Sequence, residues 1–179
     1  WTDECQKAYD TVVGHLIKSP VLAFPDLSKE FILRTDASYN GLSYILSQLG
    51  DDGLEHVIEF AGRGLSKSEK NYGIKNLEAT ACVQGTKCFH HYLVNSKFVL
   101  ITDHHALKFL QTAPIKEGRL ARYMLHMSQY NYRVEYKKGS SADLAPADCI
   151  SRLPHPEHPE IPEGEDVNIH LAPLHQVIN

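Results

Sequence analysis

The sequence predicts an α/β domain built on a mixed five-stranded sheet. Three strand candidates follow one another across short turns, and two more come later in the chain, each after sequence of helical type. Short turns favour an antiparallel meander, whereas helical connections favour strands that return to the sheet by a crossover. The 179 residues, 42% of them hydrophobic, are enough for one such domain with tails.

The chain is expected to begin with an amphipathic helix at residues 1–19, in which apolar residues recur at helical spacing. Thr2 can act as its N-cap. Residues 21–29 read as a tether, so residues 1–29 are predicted to connect the domain to a preceding one. Because the first residue is Trp1 and not Met, we expect the chain to be a piece of a longer polypeptide.

Turn residues separate the strands of the meander. Gly41 divides the first two strands, and the turn at 50–53 contains two glycines and two aspartates. A long helix is expected to open at residues 66–69, where Ser and Glu are typical of a helix start. The strands are expected at 30–35, 42–49, 56–64, 97–102 and 132–136, and the later helices at 66–93, 104–111, 117–128 and 147–151.

Charge is distributed unevenly along a chain whose net charge is −4. Residues 85–140 carry nine Lys or Arg against three acids, which is typical either of a solvated surface or of a groove for a polyanion. Residues 154–179 are acidic and rich in Pro and His, and we expect a linker with little fixed structure, leaving 30–153 as the domain. No run of 18 apolar residues occurs, so no membrane partner is expected. The four cysteines lack C-x-x-C spacing and are expected to be reduced thiols in an intracellular protein.

Two strand candidates end on a Thr-Asp pair. The first runs into Asp36 and the second into Asp103. A carboxylate at the end of a buried strand is costly to desolvate unless a cation meets it, and two on neighbouring strands would suit a hard divalent cation. Each aspartate could instead cap the turn or helix that follows it.

Two further acids are placed where this pair could use them. Glu78 lies midway along the predicted long helix among apolar and small residues, and Asp148 lies at the start of the last helix. Crowded carboxylates repel one another unless cations neutralise them. Two Mg²⁺ ions about 3.5–4 Å apart would make such a cluster a clamp on a phosphodiester, activating water and stabilising the leaving 3′ oxygen. Four unrelated acids on one domain are the alternative at this point.

The motifs occur in ordered blocks. T-D-A-S begins at Thr35 and is followed by Gly41; residues 63–79 contain R-x-L-S, E-x-N-Y and an E-A pair; T-D-H begins at Thr102; and A-D-x-I-S-R ends at Arg152. Together they resemble the RNase H domain of Ty3/gypsy-type LTR retrotransposon Pol polyproteins. The resemblance covers about residues 1–154, and its first part is similar to the segment that joins the reverse transcriptase thumb to RNase H.

The resemblance implies an RNase H-like fold, with an antiparallel meander of strands 1-2-3, then parallel strands, and helices on both faces of the sheet. It implies an endonuclease that cuts the RNA strand of RNA–DNA hybrids with two Mg²⁺ ions, for which Mn²⁺ can substitute, and that leaves 3′-OH and 5′-phosphate ends. The implied catalytic and metal-binding acids are Asp36, Glu78, Asp103 and Asp148. The implied substrate contacts are Ser38, Arg63, Asn71, Tyr72, His104 and Arg122.

The same resemblance implies three partners: an RNA–DNA hybrid, the reverse transcriptase of the same polyprotein, and an integrase downstream. The implied location is a cytoplasmic virus-like particle. Two alternatives stay open. One is a catalytically inactive RNase H-like module that is structural or binds hybrid, although the presence of all four acids disfavours it. The other is a different nuclease on the same fold, against which the position of Glu78 and the reverse transcriptase-like opening segment both argue.

The sequence departs from the family pattern in three places. Ser43 stands where the family has a second glycine, and Tyr123 stands where it has tryptophan. Residues 139–148 are about two residues longer than usual, so Asp143 competes with Asp148 for the fourth ligand position.

Overall fold

The computed structural model describes residues 2–17, 22–103, 118–137 and 144–152. Within these residues the strands and helices follow the predicted order. They are α1 (Asp3–Ile17), β1 (Phe31–Ala37), β2 (Gly41–Leu49), β3 (Glu55–Gly64), a 3₁₀ turn (Glu69–Asn71), α2 (Ile74–Cys88), α3 (His90–Leu93), β4 (Lys97–Thr102), α4 (Arg119–Met127), β5 (Asn131–Tyr136) and α5 (Ala145–Arg152). The expected helix at 104–111, the tail at 154–179 and Asp143 lie outside the described residues.

The five strands form one mixed sheet in the order β3-β2-β1-β4-β5. The pairs β1–β2 and β2–β3 are antiparallel, while β4 is parallel to both β1 and β5. The predicted meander and the predicted fold class are therefore confirmed. Because β1 and β4 run in the same direction side by side, their carboxyl ends meet at one edge of the sheet.

Each face of the sheet is covered by a helix. Alternate residues of β1, such as Phe31 and Leu33, belong to a core that α2 closes with Leu77 and Val83. On the other face α5 packs against β1 and β2, and Leu144 joins residues of β4 in a second, smaller core. β1 is thus buried on both faces, and this explains why its sequence is almost continuously apolar up to Arg34.

The single helix predicted at 66–93 is wrong, because the structure divides it into three pieces. Glu69 begins the 3₁₀ turn, and its carboxylate accepts hydrogen bonds from the Ser66 backbone N–H and from Arg63. Tyr72 is then extended (φ −82°, ψ 141°), so a new helix has to start at Ile74. At the other end Phe89 (φ −99°, ψ 22°) separates α2 from α3. Ile74, the first residue of α2, is 40% exposed.

The ends of other strands and helices differ from the predicted ones by a few residues. β1 continues to Ala37, so Asp36 lies within the strand and does not follow it. α5 begins at Ala145, earlier than expected, since Pro146 has no N–H to lose in a first turn. The Cys5 N–H lies 3.3 Å from Thr2 Oγ1, which confirms the predicted N-cap.

The four cysteines, all of which lie in the described part of the chain, are unpaired. No helix in that same part has the length and apolar character that crossing a membrane requires.

Candidate metal centre

Three of the four predicted acids meet at the carboxyl edge of the sheet. Asp36 lies near the end of β1, Asp103 directly follows β4, and Glu78 projects from the second turn of α2. One carboxylate oxygen from each lies within 4.8 Å of one from each of the others. We call these three residues the acid cluster. The parallel pairing of β1 with β4 brings the two aspartates together, and the packing of α2 on β1 adds the glutamate.

Glu78 is the most deeply buried acid of the cluster, at 4% exposure. Its Oε2 atom is buried and has no hydrogen-bond partner among the residues described. The pKa of Glu78 is raised to about 9, first by burial and then by the negative charges of Asp36 and Asp103, while a hydrogen bond with the Ala37 backbone opposes the shift. A buried carboxylate without a compensating cation is unfavourable, so the site favours binding of a positive ion.

The pKa of Asp36 is also raised. Burial is the largest cause, the hydrogen bond from Ser151 opposes it, and the charges of Asp148 and Asp103 raise it again. The cluster therefore offers only oxygen ligands, held close together and short of positive charge. This donor set fits a hard divalent cation such as Mg²⁺ or Mn²⁺ and does not suit a soft metal.

Asp148 borders the acid cluster but does not belong to it. Its carboxylate Oδ1 accepts a hydrogen bond from Arg152 Nε at 2.7 Å and lies 2.6 Å from Arg152 Nη2, one turn further along α5. Asp148 is nevertheless close enough for its charge to raise the pKa of Asp36. The choice between Asp148 and Asp143 stays a prediction, because Asp143 lies outside the described residues.

Serine hydroxyls attach α5 to the β1–β2 hairpin beside the cluster. Ser151 Oγ donates to Asp36 Oδ2 at 2.6 Å, and Ser38 Oγ donates to the Ser151 carbonyl at 2.6 Å. Ser43 Oγ donates to the Ala147 carbonyl, also at 2.6 Å. The departure from glycine at position 43 thus supplies a bond between strand and helix. Sequence reasoning missed Ser151 as a contact of Asp36, although the A-D-x-I-S-R block contained it.

The close approach of α5 also depends on Gly62 in β3. A Cβ atom there would lie 2.8 Å from the Leu42 carbonyl oxygen and 3.3 Å from Ile150 Cγ2. The Ile150 side chain of α5 therefore occupies space that a larger residue at position 62 would need.

Two of the predicted substrate residues have structural partners. Arg63 is 7% exposed, and its guanidinium donates two hydrogen bonds of 2.7 Å to the Glu69 carboxylate. This buried pair fixes the turn that precedes α2. Ser38 accepts hydrogen bonds from the backbone N–H groups of Asn40 and Gly41 while it donates to α5. Its hydroxyl therefore already has three protein partners.

The other predicted substrate residues lie near the start of α2 and on α4. Tyr72 lies under the guanidinium of Arg119, which is 3.6 Å from the ring centroid. Asn71 and Arg122 are exposed. His104 falls outside the described residues. The guanidinium of Arg119, the ring of Tyr72 and the amide of Asn71 thus lie next to α2, the helix that carries Glu78.

Tyr123, which stands where the family has tryptophan, joins α4 to α2. Its hydroxyl lies 2.9 Å from Thr80 Oγ1. Thr80 donates its own hydrogen to the Asn76 carbonyl at 2.7 Å, so the tyrosine is the donor in this contact. Tyrosine at this position replaces a tryptophan with a ring that bonds directly to the helix of Glu78.

The sequence model of one protein family, the RNase H-like domain found in reverse transcriptase, matches residues 26–130, which is more than half of the chain. The chain belongs to this family. The predicted resemblance is therefore confirmed for the RNase H-like domain.

Relatives of this RNase H-like domain are retrotransposon polyproteins. The Pol polyprotein of transposon 297 from Drosophila melanogaster is 35% identical over 147 residues, which is 82% of this chain and 13% of the relative. The transposon Tf2-3 polyprotein of Schizosaccharomyces pombe is 30% identical over 176 residues, 96% of this chain and 13% of the relative. The chain thus spans about an eighth of the length of these curated relatives.

Solved structures show the same fold. The dRH form of the foamy viral protease–reverse transcriptase, in complex with double-stranded DNA, matches 90% of this chain with a TM-score of 0.60 and 12% identity, and the match covers 29% of that protein. The same viral protein in complex with an RNA/DNA hybrid covers 93% with a TM-score of 0.54 and 14% identity, using 22% of its length. At such identities the comparison shows the architecture of the sheet and its helices alone.

Proposed function

We propose that this RNase H-like domain is a ribonuclease that cuts the RNA strand of RNA–DNA hybrids by two-metal hydrolysis. The observation that carries the proposal is the acid cluster, with one oxygen from each of Asp36, Glu78 and Asp103 within 4.8 Å. The unpaired, buried Oε2 of Glu78 supports it, because that atom needs a positive partner. The choice of a hybrid as substrate is supported by the foamy viral protease–reverse transcriptase, a protein of the same fold that is known in complex with an RNA/DNA hybrid.

Asp36, Glu78 and Asp103 would hold the metal ions, and Asp148 would complete the site from α5. When bound, the ions supply an activated water and neutralise the charge that develops on the leaving oxygen. The chain's own residues position these ligands. Ser151 fixes one oxygen of Asp36, and the Ala37 backbone holds Glu78.

The hybrid would lie across the surface next to the start of α2. In this proposal Tyr72 and Arg119, which stack on each other, and the exposed Asn71 and Arg122 would contact sugars and phosphates. The A-like minor groove and the 2′-hydroxyls of the RNA strand are the features that such a surface can read. Contacts from cationic side chains make this binding sensitive to salt.

The proposal extends to the partners expected from the sequence. The curated relatives are Pol polyproteins, which supports a reverse transcriptase joined to this domain. An integrase downstream and a place in a cytoplasmic virus-like particle belong to the same proposal.

A cleavage assay tests the proposal. The 179-residue chain is incubated with a labelled RNA–DNA hybrid, an RNA–RNA duplex or a DNA–DNA duplex, with Mg²⁺ or with EDTA. We expect cleavage of the hybrid alone, only with metal, and a loss of about a thousandfold or more in Asp36→Asn and Asp103→Asn, since each change removes charge at the metal ions. Most of the activity persisting in either variant would show that the metal assignment is wrong.

One observation favours a second function. The Asp148 carboxylate is paired with Arg152 and lies outside the acid cluster, as it could in a non-catalytic module that only binds hybrid. The same assay separates the two functions when binding is measured alongside it. Hybrid binding without cleavage at any Mg²⁺ or Mn²⁺ concentration would identify the non-catalytic module.

A further inference from the structure

We propose that Ser151 is a positioning residue, whose hydroxyl holds Asp36 in the orientation in which the acid cluster binds metal. The inference rests on the proposed function, because it concerns the same metal centre. It adds a residue that is neither an acid nor a ligand.

The geometry of the hydroxyl allows this role. Ser151 is fully buried, and its Oγ lies 2.6 Å from Asp36 Oδ2 and 3.0 Å from the Asp148 carbonyl oxygen. A hydroxyl has a single hydrogen to donate, and the shorter contact to a carboxylate is the stronger of the two. One oxygen of Asp36 is therefore held by α5, and the other is left for the cluster.

Asp36 needs such a constraint because most of its charged neighbours are negative. Asp148 and Asp103 both repel its charge, and burial opposes the charge as well. Among the described residues, Arg152 and Ser151 are the two that favour the ionised carboxylate. Arg152 acts through its charge and is itself exposed, whereas Ser151 makes a directed contact that fixes the plane of the carboxylate.

Ser151 is itself held in place by the hairpin opposite. Its carbonyl accepts the Ser38 hydroxyl at 2.6 Å, and the next carbonyl, that of Arg152, accepts Asn40 Nδ2 at 3.3 Å. The serine therefore sits at a fixed point between the β1–β2 turn and α5. Because Asp148 lies on the same helix, one hydroxyl links the helix of Asp148 to the strand of Asp36.

Ser43 provides a matched control. It is also fully buried, lies opposite Asp36 in the register of β1 with β2, and donates a bond of 2.6 Å to α5. Its acceptor is the Ala147 carbonyl and not a carboxylate. Ser43→Ala therefore removes the same kind of attachment of the same helix and leaves Asp36 with its partner.

The test compares Ser151→Ala with Ser43→Ala in the full 179-residue chain. Binding of Mn²⁺ is measured by calorimetric titration, because Mn²⁺ binds such ligands more tightly than Mg²⁺ does. Unfolding by urea is measured separately in EDTA. We expect Ser151→Ala to weaken Mn²⁺ binding by about tenfold or more, as changes to groups that orient a metal ligand do. Ser43→Ala is expected to stay within about twofold of wild type for Mn²⁺ while losing comparable stability.

The outcomes distinguish the positioning role of Ser151 from the existence of the metal centre. Equal Mn²⁺ affinities in the two variants would overturn the role of Ser151 and leave the metal centre standing. No Mn²⁺ binding to the wild-type chain would overturn the metal centre and the positioning role together. If Ser151→Ala does not fold, Ser151→Cys keeps the volume and replaces the hydroxyl with a weak donor. A folded Ser151→Cys that binds Mn²⁺ as tightly as wild type would overturn the inference, and a weakened one would support it.

Discussion

Glu78 shows most directly how a buried charge prepares this site for a cation. It is 4% exposed, two other acids share its surroundings, and its Oε2 is unpaired within the described chain. In the absence of metal the protonated form is favoured, whereas a bound ion would favour the carboxylate. Stability of the metal-free chain should therefore depend on pH through this residue.

We predict that stability of the metal-free chain falls as pH rises, and that Glu78→Gln removes much of this fall. In the folded chain the pKa of Glu78 is raised to about 9 from an ordinary 4.5, so between these values the folded state binds more protons than the unfolded state. The stabilising contribution is complete below about pH 4.5 and is lost as pH approaches 9. Between pH 5 and 8 the loss is on the order of 4 kcal/mol. Urea unfolding in EDTA measures it.

The exposed Glu4 of α1 gives the control for this measurement. Glu4→Gln should follow the wild-type pH dependence. A Glu78→Gln variant whose stability falls with pH as steeply as that of wild type would contradict the assignment of the effect to Glu78.

The fourth acid gives a second prediction about single residues. Asp148 lies in the first turn of α5, on a helix that hydrogen bonds fix to the hairpin. A rigidly held side chain makes a better metal ligand than a loosely held one. We expect Asp148→Asn to reduce hybrid cleavage by about tenfold or more, and Asp143→Asn to stay near wild type. Initial rates at saturating Mg²⁺ measure both, and the reverse ranking would move the fourth ligand to Asp143.

Among the elements, the short turn before α2 is attached to β3 by a buried ion pair. The Arg63–Glu69 pair is almost fully buried and joins the end of β3 to this turn. Burial raises the pKa of Glu69, but the hydrogen bonds and charge of Arg63 outweigh it, and the net pKa is lowered. We infer that this pair fixes where α2 begins. The start of α2 in turn fixes the position of Glu78 relative to Asp36 and Asp103.

We predict that Glu69→Ala destabilises the domain by about 3–5 kcal/mol, because it leaves the Arg63 guanidinium buried without its partner. Urea unfolding at neutral pH measures the loss. Glu30, which pairs with Arg133 at an exposed position, is the control. Glu30→Gln should change the free energy of unfolding little, since exposed pairs contribute little. Similar losses in the two variants would contradict the structural role given to the buried pair.

Across the whole molecule, the structure shows that part of the predicted tether is bound to the sheet. Leu22 bridges Val57 of the edge strand β3, and the Ala23 N–H donates to the Val57 carbonyl at 2.7 Å. Further along, the Gln48 side chain accepts from the Asp26 N–H at 2.9 Å and donates to the Asp26 carbonyl at 2.8 Å. These contacts cover one edge of the sheet. The boundary at residues 29 and 30 stays a prediction, although residues 22–26 already belong to the folded unit.

The strands could be predicted from the sequence because their signals are local. β-branched and aromatic runs, and the glycines between them, depend on neighbours along the chain, and all five strands occur within a few residues of their expected bounds. The T-D pairs also marked two acids at strand ends, and parallel pairing of those strands is enough to bring them together.

What only the tertiary structure decided is which side chains meet once the strands, turns and helices are packed together. The start of α2 depends on Glu69 reaching Arg63, and helical periodicity does not report that bond. The attachment of Ser151 to Asp36 spans 115 positions, and the Asp148 carboxylate, which pairs with Arg152, lies outside the acid cluster. Local sequence determines which backbone forms are favourable, whereas a buried charge takes whichever partner the packed helices and strands place within hydrogen-bonding distance.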